Sequence, residues 1–182
     1  MYHQPQEGFH LTLRSGITIY PSQGKEINYK LSDLSNRAPT LFVMLIDITG
    51  QIISAVGNQE NVDLISLGSL VAGDLAASQE IARLTHQYND NQLVIREGEN
   101  THTFIIEAGQ YLALFAQVAD DVPLGWARML IQRTARQLAE IIAQTPPEAK
   151  EAEEEAASEL NQAFNEELPD LFGDALDDLW ED

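Results

Sequence analysis

The chain has 182 residues, 44% of them hydrophobic, enough for one compact domain with a real core and appendages. A net charge of -19 argues against nucleic acid or an anionic membrane surface as a direct partner. The absence of cysteine excludes disulfides and thiol chemistry and suits a cytoplasmic location, and no apolar run approaches the roughly 20 residues needed for membrane insertion.

Residues 1–16 are weakly patterned and read as an N-terminal extension, with a candidate strand at His10 to Leu13. Ile17 to Tyr20 is β-branched and aromatic, a short strand before Pro21. Ser22 can cap a helix running through Arg37, with Ile27, Leu31 and Leu34 at helical spacing. Thr40 to Ile46 is continuously apolar, the pattern of a central strand buried on both faces. Asp47 and Gly50 then bracket a four-residue turn, and Gln51 to Val56 returns as the second strand of a hairpin.

The stretch Leu64 to Leu84 dominates the middle of the chain, with Asn61 or Asp63 as candidate cap. Its only formal charges are Asp74, Glu80 and Arg83. At about 100° per residue, Leu64, Leu67, Leu70, Val71, Leu75 and Ile81 fall on a bulky side expected to be core. The other side carries two files of small residues, Gly68, Ala72, Ala76 and Ser69, Gly73, Ala77. A helix that is apolar all round must bury against two things. The flat side therefore reads as a protein contact, the alternative being a helix sandwiched within one large core. Asp74 falls on the bulky side, where an unpaired charge is costly, so a hydrogen bond to a neighbouring loop is expected.

Three strands follow the loop at His86 to Asn91, namely Gln92 to Glu97, Thr101 to Ala108 and Gln110 to Val118, and their short turns imply an antiparallel meander. Pro123 opens a last helix running to Ala143. Its core stripe is Ala127, Leu130, Ile131, Thr134, Leu138, Ile141 and Ile142, while Arg128, Arg133 and Arg136 point elsewhere. The order α-β-β-α-β-β-β-α predicts an α+β fold, an α/β/α sandwich of five antiparallel strands with helices on both faces. It occupies residues 17–144.

Residues 145–182 form an acidic tail that begins at Pro146-Pro147. From Glu148 onward 14 acids face the single base Lys150, which accounts for -13 of the -19. Glu148 to Leu168 is rich in Ala and Glu and reads as a solvated helix or as disordered chain. Beyond Pro169, Leu171, Phe172, Ala175, Leu176, Leu179 and Trp180 recur at three and four, a compact amphipathic helix over about residues 170–181. So short a helix is marginal alone in water, so a partner-docking role is expected for Leu171, Phe172, Leu176, Leu179 and Trp180. The alternative is that it packs back on its own body.

Little in the sequence points to chemistry. Gly68 to Gly73 has the glycine spacing of a phosphate-binding loop, but Asp74 and Leu75 replace the Lys and Ser/Thr that motif requires. His3, His10, His86 and His102 show no metal-ligand spacing, and no nucleophile elbow is present. No catalytic residue, metal or cofactor is expected, and the chain reads as a non-enzyme.

Three pieces in order, LIDITGQIISAVG (Leu45 to Gly57), DLISLGSLVAGDLAAS (Asp63 to Ser78) and PLGWAR (Pro123 to Arg128), resemble the Roadblock/dynein light-chain domain. The closing DALDDLWED is similar to the acidic end found on its bacterial, MglB-like gliding-motility branch. The resemblance implies a homodimer that pairs the central helices and the following edge strand, here Leu64 to Leu84 and Gln92 to Glu97. It further implies a cell-polarity role in which two copies bind one Ras-like small GTPase of the MglA type. Motility-type members stimulate GTP hydrolysis by holding the GTPase's own catalytic residues in place, with the C-terminal helix as a second contact. Positions matching the GTPase or dimer contact are Gly68, Ser69, Ala72, Gly73, Ala76, Ala77 and Glu80, the last departing from the small residue seen in some relatives. A non-activating dimeric scaffold for a GTPase or other partner remains the alternative, and a small-ligand sensor a more distant one.

Overall fold

The computed structural model describes residues 10–60, 62–87, 92–150, 154 and 156–158. Two compact units divide between Gln144 and Thr145. In the first, a short hairpin, β1 (Leu11–Thr12) with β2 (Thr18–Ile19), stands apart from a five-stranded antiparallel sheet. That sheet is built from β3 (Thr40–Asp47), β4 (Ile52–Gly57), β5 (Leu93–Glu97), β6 (Thr101–Glu107) and β7 (Leu112–Ala119), in the spatial order β4-β3-β7-β6-β5. The helices are α1 (Pro21–Arg37), α2 (Leu64–Leu84) and α3 (Leu124–Ala143). The architecture is the expected α+β sandwich.

The pleat sorts side chains to opposite faces. Val43 and Leu45 of β3, Phe104 and Ile106 of β6, and Leu114 and Ala116 of β7 join the core beneath α1 and α3. Phe42, Met44 and Ile46, Ile105, and Ala113 and Phe115 join a smaller core beneath α2. A bulge keeps β4 in phase. Ile46 pairs with Ile52 but Leu45 pairs with Ser54, so Ile53 is the extra residue, and it turns toward the core of α1 and α3.

Residues 10–16, expected as part of an extension, are joined to the domain at several points. Leu13 is buried in the same core as α1 and α3. The Arg14 N–H donates to Gln51 Oε1 at 2.9 Å and the Ser15 N–H to Asp47 Oδ2 at 3.2 Å. Asp47 is fully buried, and its Oδ1 accepts from the Thr49 N–H, the Thr49 hydroxyl and the Gln51 N–H at 2.9, 2.7 and 2.8 Å. Burial pushes this carboxyl up, but the hydrogen bonds outweigh it and hold it below the ordinary carboxylate range.

The start of α1 differs from expectation. Tyr20, not Ser22, is the N-cap, because Pro21 occupies the first helical position with its fixed φ. Gln23 compensates. Its Oε1 accepts the Tyr20 N–H at 3.1 Å, while Nε2 donates to the carbonyls of Ile141 and Gln144 at the end of α3. Asp63, one of the two expected caps, starts α2 by accepting the Ser66 N–H at 3.2 Å. At the other end His86 adopts φ 56°, and the His86 and Gln87 N–H groups bond the carbonyls of Arg83 and Ala82. That is a Schellman closure with histidine where glycine is usual.

The seat of α2 on the sheet is a contact of backbone with backbone. Gly50, at φ 86° in the β3–β4 turn, has no room for a side chain: a Cβ there would lie 2.8 Å from Ser69 Cα. Reciprocally, a Cβ on Gly68 would meet the Gly50 carbonyl oxygen at 2.5 Å. A Cβ on Gly73, five residues on, would meet nothing within 4 Å beyond its own turn of helix. Two substitutions of one chemical kind should therefore diverge. Gly73→Ala gains the helix-propensity difference of about 1 kcal/mol. Gly68→Ala gains the same but forces the turn off the helix, a net loss of about 2 kcal/mol. Urea titrations of the two variants against the parent chain check both signs.

Candidate interaction surface

A helix apolar on every side can sit on a sheet in several rotations, and the glycine contact selects one. Leu64, Gly68, Val71, Leu75 and Ala82 face inward. Two residues expected on the core side are instead out in solvent, Leu70 at 71% and Ile81 at 63% exposure. They lie on the flank that rotates outward once Gly68 is pinned against the turn. Gly68, expected on the flat outer side, is buried, and Ala72 is half-buried. Of the expected contact residues, Ser69, Gly73, Ala76, Ala77 and Glu80 do lie on the exposed side. Ile65 at 72% and Leu84 at 73% join them, which the pattern alone missed.

The outer side is therefore a floor of small residues edged by four large aliphatics. Exposed aliphatics scattered singly are normal in folded proteins, but four on one helix are not scattered. The floor is also positioned rigidly. Asp74 meets Arg96 of β5 through two bonds of 2.6 Å, a bidentate pair, rather than the loop that was expected. Hydrogen bonding to Arg96 holds the Asp74 carboxyl below its usual range, against the opposing effect of partial burial. Arg96 could be suspected only as an isolated cation in the otherwise apolar LVIR run, because its partner lies 22 residues away. A second tie runs through the buried Glu107 at the end of β6, which accepts from the Gln79 side chain of α2 and from the Gln92 N–H at 3.1 Å.

The Asp74–Arg96 pair puts one flank of α2, carrying Leu70 and Ile81, on the side of β5. That strand ends the sheet, and among the described residues its outer edge has no partner strand. Leu93, Val94 and Ile95 along it are half-buried. Glu80 pairs with Arg83 one turn on at 3.4 Å, both well exposed. Among the described residues no group of three carboxylates or histidines is placed to hold a metal, and no helix is long and apolar enough to cross a membrane. The tail residues Leu171, Phe172, Leu176, Leu179 and Trp180 lie outside the described residues.

The fold recurs in solved structures. Myxococcus xanthus MglB is 31% identical, over 64% of this chain and 94% of that one, with a TM-score of 0.60. The chain belongs to the MglB-like Roadblock/LC7 family. The gliding protein MglB of Thermus thermophilus shares the fold at 23% identity, 70% and 96% coverage and a TM-score of 0.63. A Roadblock/LC7 domain from Streptomyces avermitilis does so at 16% identity, 64% and 97% coverage and a TM-score of 0.58. A scan against family models and a search of curated proteins return no match. What this member shares with the family is thus the fold.

The Asp74–Arg96 pair makes a pH-dependent prediction. A carboxyl depressed in the folded state contributes stability above its unfolded value of about 3.9, and that contribution is lost as pH falls through the lower folded value. Solvent screening at the half-exposed Arg96 limits the contribution to about 1 kcal/mol. Arg96→Gln should therefore lower stability by about that amount at pH 7, and the gap to the parent chain should begin to narrow below about pH 4. Denaturant titrations at pH 7 and pH 3.5 read the difference directly.

Proposed function

We propose that the Leu70–Ile81 flank of α2 and the open edge of β5 form a two-fold interface, and that the small-residue floors of the paired helices, left uncovered, serve as a platform for a Ras-like small GTPase. The observation that carries this reading is the cluster of exposed Ile65, Leu70, Ile81 and Leu84 around the small-residue floor of α2. Placing two such helices side by side removes apolar surface from water at about 25 cal/mol per Å². Pairing two β5 edges would at the same time satisfy the edge N–H and C=O groups. The family's MglB members are the ground for choosing a GTPase as the partner.

On that platform the chain would act as a regulator of a GTPase of the MglA type, stimulating hydrolysis of GTP. It offers no arginine from the floor itself, whose members are Ser69, Gly73, Ala76, Ala77 and Glu80. Stimulation would therefore consist of holding the GTPase's own catalytic groups where charge develops in the transition state. The tail residues Leu171, Phe172, Leu176, Leu179 and Trp180 supply a second contact in this reading, as part of a separate segment, residues 145–182. Glu80 favours a second reading, in which the dimer is a scaffold that binds without activating. A carboxylate amid small residues selects a facing Lys or Arg and rejects an apolar partner surface.

Single-turnover GTP hydrolysis by the small GTPase encoded in the same genome, with and without the chain at twofold excess, separates the two. Activation predicts a rise of about tenfold or more, equivalent to about 1.4 kcal/mol off the barrier. Binding without any rise leaves the scaffold. Ala76→Arg, which places a long cation on the floor, should weaken GTPase affinity at least about tenfold in a binding titration and leave the dimer mass unchanged. Unchanged affinity would remove Ala76 from the contact.

A further inference from the structure

The opposite face of the molecule carries a second uncovered helix surface. Along the outside of α3, Trp126 is 46% and Met129 51% exposed, and Arg128, Arg133 and Arg136 are exposed beside them. Three of the chain's ten basic residues thus stand on one helix face of a protein with net charge -19. Among the described residues none of the three forms an ion pair, although Glu140 lies one turn beyond Arg136 on the same face. Arg136 Nε donates only to the Gln132 carbonyl at 3.4 Å. A cationic surface flanked by a tryptophan and a methionine fits an anionic amphipathic helix, with the apolar side chains providing area and the guanidiniums orientation.

We infer that, in the absence of the GTPase, this face receives the acidic C-terminal segment, residues 169–182, of a second copy of the chain. Charge complementarity is the first ground. That segment has six acids and no base, interleaved with Leu171, Phe172, Leu176, Leu179 and Trp180 at helical spacing. Reach is the second, and it rests on the dimer proposed above. Because α3 packs on β6 and β7, next to the β5 edge, joining two β5 edges sets the two α3 helices about four strand spacings apart, roughly 19 Å. The 25 residues from Thr145 to Pro169 span about 28 Å as a flexible chain and about 37 Å as a straight helix. Either length carries the segment to the partner's α3. Within a dimer such a contact forms at a high effective concentration, so a modest intrinsic affinity suffices.

Because the chain lacks cysteine, introduced thiols report proximity cleanly. Differently tagged full-length copies, one Met129→Cys and the other Ala175→Cys, are co-expressed and exposed to a mild oxidant. The disulfide between copies should form about tenfold faster than with Tyr29→Cys, an exposed position on α1, in place of Met129→Cys. Adding Arg133→Glu to the Met129→Cys copy, or raising salt to about 0.5 M, should abolish that advantage. Rates equal to the α1 control overturn the inference. Light scattering on the same samples separates the two layers: a dimer that fails to cross-link overturns this inference alone, and a monomer overturns the dimer reading and this inference with it.

Discussion

Two glycine backbones in contact fix how α2 lies on its sheet, and most of what the molecule presents to its surroundings depends on that. The Gly50 carbonyl occupies the space where a side chain on Gly68 would be, so the β3–β4 turn and the first half of α2 are locked in one rotation. From that rotation Val71 and Leu75 go into the core while Leu70 and Ile81 go to solvent. A helix with leucine and alanine on every side has no strong preference of its own. The turn imposes one. Asp74 and Arg96 then hold the middle of the helix beside the edge strand, so the exposed flank and the open β5 edge become neighbours.

The sheet is covered unequally, and this asymmetry gives each face a different use. Two helices shield one side, with a core in which Ile27, Leu31, Leu34 and Leu138 are almost fully enclosed. A single helix covers the other, over the smaller cluster around Phe42, Met44 and Phe115. A lone helix with aliphatic groups on its outside leaves room for a second layer, and in the proposed two-fold assembly a copy of the same helix supplies it. The polar ties of Asp74 and Glu107 keep that surface rigid before any partner arrives, which lowers the ordering cost of association.

Much of this was legible in the sequence because local patterns and the final fold agree. The bounds of α2, the five strands and their antiparallel meander follow from hydrophobic runs broken by Gly, Asn and Asp. What was not legible has a physical reason in each case. The rotation of α2 is set by a turn 18 residues upstream in sequence, and the periodicity of the helix is silent about it. The partner of Asp74 is a strand residue brought near only by the finished sheet. His86 closes α2 at a positive φ where a glycine would have announced the stop. Gln23 was invisible for a similar reason, since its value lies in carbonyls that α3 leaves open more than a hundred residues later.

The central claim is that the Leu70–Ile81 flank of α2 is buried by a second copy. The most direct test is the solution mass by light scattering of the full chain and of its Ile81→Asp variant. Ile81 is 63% exposed in the subunit, so a carboxylate there leaves the subunit's own core untouched. The account predicts a parent chain at twice 20.2 kDa and a folded variant at 20.2 kDa, the new charge being excluded from an apolar interface. A parent chain at 20.2 kDa, or a variant whose mass does not change, would contradict it.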